Sequence, residues 1–144
     1  MTDISIIKHA IGAPGLRIFG LGPNFKPSNG IEKLQVLFNQ NAFWAKNRKK
    51  EEIKRMLANS SVVVTLWSNT NLIGFGRATT DKTYRAILWD IVISKNSQGL
   101  GLGKIITEAL LNHKNIKSVE KVYLMTTNSA DFYKQLGFTE NSNQ

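Results

Sequence analysis

Gly99, Gly101 and Gly103 alternate with Leu100 and Leu102 and run directly into Lys104. The apolar stretch Ile91-Val92-Ile93 precedes them, and a run of helix formers follows. A strand, a glycine turn and a helix in that order form a cradle for anions. The first turn of a helix has backbone N–H groups without intrahelical partners, and its dipole adds about half a positive charge. Glycines let the backbone approach where a β-carbon would collide. The expected ligand is therefore phosphate-bearing. A Walker loop is excluded, because Gln98 stands where its leading glycine belongs and Ile105 where Ser or Thr must follow the lysine. A dinucleotide fingerprint needs a different glycine spacing, although Glu120 falls near the place of its ribose-binding acid. From spacing alone, that site and a connection that only permits tight strand–helix packing both stay open.

Other chemistries are narrowed by composition. The chain has 144 residues, 42% hydrophobic and 20% charged, which suits one globular domain with one core. It has no cysteine, which excludes disulfides, iron–sulfur clusters, thiolate zinc and a cysteine nucleophile. Two histidines, His9 and His113, are too far apart in sequence to suggest a metal site or a serine–histidine triad, and no metal is expected. No stretch reaches the roughly 20 apolar residues of a membrane span, and the N-terminus resembles neither a signal nor a transit peptide. The formal charge is +9, which brings nucleic acid into consideration. The basic residues are scattered, however, and the one dense run, KNRKKEEIK, reads as a solvated helix face, so nucleic acid is not the expected partner.

The elements that must position these residues follow from periodicity and turn signals. Apolar residues from Ile31 fit a short helix capped by Ser28 or Asn29, and residues 46–57 a second. Residues 61–67 and 72–79 form a hairpin about Asn69 to Asn71, and residues 85–93 make a longer central strand. After the glycine turn a helix runs to about Asn112. A strand follows at 119–125, then a short helix at 131–136 closed by Gly137. The order α-α-β-β-β-α-β-α predicts a mixed α/β (α+β) domain.

Gln98-Gly99-Leu100-Gly101-Leu102-Gly103 resembles the Q/R-x-x-G-x-G/A signature of the GNAT acetyltransferase superfamily, with Ile91-Val92-Ile93 matching its preceding strand. Asn128 followed by Phe132-Tyr133-Lys134-Gln135-Leu136-Gly137-Phe138 resembles the family's second signature, Asn … F/L-Y-x-x-L-G-F. IGFGRATTD, ILWDIVI and QGLGLGK together are similar to the cyanobacterial and plastid branch. That branch includes small plastid-encoded proteins of algae and the chloroplast serotonin N-acetyltransferases of land plants. The likeness covers roughly residues 43–138. It implies a single domain over residues 1–144, with a mostly antiparallel sheet flanked by helices. It also implies direct transfer of an acetyl group from acetyl-CoA to a primary amine, either an arylalkylamine such as serotonin or a protein amine.

By the same resemblance, Gln98, Gly99, Leu100, Gly101, Leu102, Gly103 and Lys104 hold the cofactor's pyrophosphate. Amides around Ile91, Val92 and Ile93 meet its acyl and pantetheine portion, Asn128 contacts it, and Tyr133 is the general acid. Fewer residues separate Asn128 from Tyr133 than in many relatives, which bears on the placement of Asn128. The expected base is Asp90, an acid in an apolar strand whose burial would raise its pKa. The other reading of Asp90 is an ion pair with Arg77 or Arg85, and Asp81 is a more distant base candidate. Phe43, Trp44 and the basic run would wall the acceptor cleft. The chain ends soon after Phe138, so the opposite wall is expected to be absent or supplied by a second copy in a homodimer. A composition rich in Lys, Asn and Ile matches an AT-rich genome, and the expected location is the plastid stroma. Two other functions are set against transfer: a non-catalytic acyl-CoA sensor, and a basic nucleic-acid-binding module.

Overall fold

The computed structural model describes residues 3–125 and 129–140. Its elements are β1 (Ile4–Lys8), α1 (Pro14–Phe19), α2 (Gly30–Asn41), α3 (Lys50–Ala58), β2 (Val62–Ser68), β3 (Asn71–Thr80), β4 (Arg85–Ile93), α4 (Leu102–Leu111), β5 (Lys121–Leu124) and α5 (Ala130–Gln135). The strands form one sheet in the order β1-β2-β3-β4-β5, antiparallel except for the parallel pair β4–β5. The expected fold class holds. Two elements were not anticipated, the edge strand β1 and the short helix α1.

Two apolar layers flank the sheet. On one face α1, α2 and α3 bury Leu16, Leu34, Phe38, Ile53 and Leu57 against Val63, Trp67, Phe75 and Val92. On the other, α4 buries Leu102, Ile106 and Leu110 against Val64, Leu66, Ala78 and Leu88. The second contact is close because β3 carries glycine under the helix. A β-carbon at Gly76 would fall 2.6 Å from Ile106 Cγ2, and one at Gly74 2.9 Å from Ile106 Cδ1.

β4 is interrupted midway. Phe75 pairs with Val92 and Arg77 with Trp89, so Gly76 alone faces both Asp90 and Ile91. This is a β-bulge, and Asp90 adopts φ 54° within it. Aspartate tolerates that left-handed conformation better than most residues. Across the bulge the faces re-phase. Leu88 and Ile91 both belong to the α4 side, whereas Trp89 and Asp90 both contact Arg77.

On the α1–α3 face the end of β1 buries a polar chain. Trp67 Nε1–H donates to Thr65 Oγ1 at 2.8 Å, and the same hydroxyl lies 2.8 Å from His9 Nε2. With Trp67 occupying an acceptor position, the hydroxyl proton is free to be donated to a neutral His9. Burial pushes the His9 pKa down from 6.5 to about 4. The folded value lies below the unfolded one, so this stabilisation is complete above pH 6.5 and is lost as pH falls toward 4. Its upper limit is about 3 kcal/mol at roughly 1.4 kcal/mol per pKa unit, or about 10 °C in melting temperature. Melting curves between pH 7 and pH 4.5 should show a loss of that order, and His9→Gln should flatten it. An unchanged slope in the variant would mean that His9 is not the titrating group.

Candidate active site

The pairing of β4 with β5 ends at Leu88↔Leu124, while β4 continues to Ile93. Among the described residues, β4 from Trp89 onward therefore borders a seam that no strand closes. The glycine turn lies at the far end of this stretch. Gln98 reaches back, its Nε2 donating to the Ile93 carbonyl at 3.3 Å, which ties the turn to the strand. Gly99 takes φ 84° and Gly101 φ 76°. Gly101 is the N-cap of α4 and contributes no side chain there. Its carbonyl accepts from Ile105 N–H, which starts the helix and leaves the first-turn amides directed outward.

The fit to a pyrophosphate can be judged from the space around these glycines. A β-carbon at Gly99 or Gly101 would meet no protein atom within 4 Å, so the backbone of the turn is open to an approaching ligand. Gly103 is different. A β-carbon there would sit 3.3 Å from Phe132 Cζ and 4.0 Å from Ile93 Cγ1. The end of β4, the first turn of α4 and the side of α5 thus meet at one glycine. Ile93 and the turn from Gln98 to Lys104 come together, and Ile91 lies on the same face of β4 two residues earlier. Leu102, the first residue of α4, is buried on the sheet side of that helix, and Leu100 is exposed. Val92 faces the other way, into the α2 layer. Lys104 stands exposed at the rim, 3.8 Å from Glu108 one turn on. Asn128 lies outside the described residues.

Tyr133 is on the same α5 turn as Phe132. Its ring is buried, edge-on to Phe132 at 5.0 Å and to Phe138 at 6.1 Å. Loss of water around the phenol pushes its pKa up to about 12. It is therefore a fully protonated donor throughout the physiological range.

Of the two readings of Asp90, the structure holds the ion pair with Arg77, and the expected rise in its pKa needs correcting. Both of its carboxylate oxygens are engaged. Arg48 Nη1 and Nη2 reach Oδ2 and Oδ1 at 3.1 Å each, Arg77 Nε reaches Oδ2 at 2.9 Å, and Trp44 Nε1 donates to Oδ1 at 3.0 Å. Burial alone would raise its pKa, but the two guanidiniums outweigh burial and hold it below the ordinary carboxylate value. An acid so held is a poor proton acceptor at neutral pH. Asp81 is also occupied, its Oδ1 accepting from Thr83, Tyr84 and Arg85 N–H in the β3–β4 turn. Arg85 pairs with Glu120 rather than Asp90.

Sequence reasoning named Arg77 as a partner but missed Arg48 and Trp44. Arg48 was absorbed into the basic run. The available signal was that it is the single arginine in KNRKK, and arginine is the residue suited to a forked pairing with a buried carboxylate.

Residues 59–140 match the acetyltransferase (GNAT) domain. The chain is 37% identical over 100 residues to the uncharacterized N-acetyltransferase ycf52 of Pyropia yezoensis, covering 66% of this chain and 57% of that one. It is 34% identical over 96 residues to the chloroplastic serotonin N-acetyltransferase 2 of Oryza sativa subsp. japonica, covering 63% and 48%. It thus spans about half, or slightly more, of the length of these relatives. In structure it resembles a probable acetyltransferase of unknown function from meticillin-resistant Staphylococcus aureus, with a TM-score of 0.73 and 23% identity, covering 98% of this chain and 93% of that one.

Proposed function

Because the chain belongs to the GNAT acetyltransferase family, we propose that it transfers an acetyl group from acetyl-CoA directly to a primary amine. The observation that carries this reading is the meeting of β4, the glycine turn and α5 at Gly103. Acetyl-CoA would supply the activated acyl group as a thioester. Backbone amides of the turn from Gly99 to Lys104 would bind its pyrophosphate, with the α4 dipole and Lys104 adding positive charge. Backbone groups at Ile91 and Ile93, bordering the seam, would hold the acyl portion. Tyr133 holds the proton that the departing sulfur needs. Both Asp90 and Asp81 are committed elsewhere, so the amine's proton is left to water.

The acceptor we favour is an arylalkylamine. The rice relative is named for serotonin, and Phe43 and Trp44 present exposed aromatic rings, edge to face at 5.3 Å, on the side of β4 away from α4. A plastid location accords with the chloroplastic relatives. The engagement of both candidate bases favours one second reading, an acyl-CoA-binding sensor without turnover.

Thermal unfolding with and without acetyl-CoA tests the cofactor. A ligand at about 100 times its dissociation constant should add roughly 2.7 kcal/mol, a shift of several degrees. A shift accompanied by acetylation of tryptamine or serotonin supports the enzyme reading. A shift without turnover on any amine would establish the sensor, and no shift at millimolar acetyl-CoA would overturn both.

A further inference from the structure

The connection between α2 and α3 carries no regular helix or strand beyond one turn of 3-10 helix at Phe43–Ala45, yet it is fixed at many points. Asn39 Oδ1 accepts from Asn47 N–H at 2.8 Å, and Gln35 Nε2 donates to the Arg48 carbonyl at 3.0 Å. Asn41 Oδ1 accepts from Lys95 N–H at 2.9 Å, joining the end of α2 to the end of β4. Arg48 Nη1 also lies 3.5 Å from Met56 Sδ on α3, and the other anchors converge on one atom group, the carboxylate of Asp90. Trp44 and Arg48 reach it from the connection and Arg77 from β3. Arg48 threads to it across the Phe38 ring, with its guanidinium carbon 5.1 Å from the ring centre. The bulge makes this possible, because it turns Asp90 away from α4 and toward α2 and α3.

Direct transfer requires both substrates at the seam together. The glycine turn and α4 occupy one face of the sheet, so an acceptor must approach from the other, past Trp44. We propose that Asp90 is a positioning residue: through Trp44 and Arg48 it clamps residues 42–49 beside the open stretch of β4 and so sets one wall of the acceptor pocket. This rests on the acyl-transfer reading. The carboxylate touches no reacting atom in this scheme. It acts by keeping the Trp44 and Phe43 rings in place, so its loss should weaken acceptor binding and spare the cofactor.

The test uses the full chain with Asp90→Asn, Arg48→Met and the pair combined. Three quantities are read: hydrogen exchange of residues 42–49, acetyl-CoA affinity by thermal shift, and steady-state kinetics with tryptamine. Exchange in 42–49 should accelerate at least about tenfold and the acceptor KM rise about tenfold, while acetyl-CoA affinity stays within about twofold. The double variant should be no worse than the more affected single one, because residues acting as one unit are not additive. Should Asp90→Asn fail to fold, Arg48→Met alone carries the test, because it leaves both aromatic rings and Arg77 in place and should still raise the same KM. Transfer by the native chain with an unmoved acceptor KM in the variants would overturn the proposal alone. So would a fall in kcat at constant KM together with loss of an ascending pH limb, because Asp90 would then be acting as the base. No transfer by the native chain would overturn the acyl-transfer reading and this proposal with it.

Discussion

The Gly101→Val variant is expected to lose acetyl-CoA affinity by about 100-fold or more, equivalent to about 2.7 kcal/mol, while keeping its fold. Gly101 sits at φ 76° as the N-cap of α4. The left-handed region costs a residue with a β-carbon about 1–2 kcal/mol, and a β-branched side chain is a genuine outlier there. The turn must then either carry that strain or re-form and move its amides. Added to this is the β-carbon itself, which would project into the open space beside the turn, where no protein atom lies within 4 Å. Folding tolerates the extra bulk, and an anion approaching the backbone does not. A Gly101→Asn variant separates the two causes, since asparagine accepts positive φ but still fills the cradle. Calorimetric titration with acetyl-CoA reads both variants. Full binding by Gly101→Val would remove the pyrophosphate cradle from the scheme, whereas full binding by Gly101→Asn alone would leave backbone conformation as the only requirement.

Tyr133→Phe is expected to lower kcat by about 100-fold or more, the usual scale for loss of a positioned proton donor, with acetyl-CoA affinity within about twofold of the native value. The ring remains, so the edge-on packing against Phe132 and Phe138 is kept. What is lost is one proton. The pKa of the phenol is raised to about 12 by burial, so the donating form persists as pH rises, and no descending limb from this group should appear below about pH 11. The same sign governs stability: the folded pKa exceeds the unfolded value near 10, so the contribution is present below pH 10 and is lost as pH climbs toward 12. An unchanged turnover in the variant would end the assignment of Tyr133 as the acid. A descending limb near pH 8 that survives in the variant would assign the acid to another group.

The parts of this site that sequence made legible are those whose constraint is local. β4 was read at its observed bounds because nine largely apolar residues run between polar, turn-forming ends. The glycine turn was legible because positive φ and close approach both require glycine, and those requirements leave a residue type behind. What escaped depended on distant partners. Helix α1 has only six residues, and although proline at its start was a visible signal, it is held by Leu16 packing under α2. Strand β1 is an edge whose side chains are mostly exposed, so it lacks the alternation of a half-buried strand. The second helix begins at Lys50 rather than position 46, because Arg48 leaves the helical path to reach a carboxylate 42 residues further along the chain. For Asp90 the residue type signalled a special environment correctly, but burial and pairing drive its pKa in opposite directions. Only the geometry shows that pairing wins.

The bulge in β4 also bears on which changes of length the chain can absorb. Removing Asp90 would restore an unbroken two-residue alternation and leave everything downstream on its present side, because the bulge puts Trp89 and Asp90 on the same face. Ile91 and Ile93 would still face the α4 layer and Val92 the α2 layer, and only the carboxylate that holds Trp44 and Arg48 would be gone. A single-codon deletion at Asp90 therefore removes the clamp without turning the strand, whereas a deletion elsewhere in β4 would exchange the inner and outer faces on one side of the cut. The two halves of β4 are, in effect, separate reading frames joined at Asp90. Ala86 and Leu88 before the bulge and Ile91 and Ile93 after it all pack on the α4 layer, at even positions upstream and odd positions downstream.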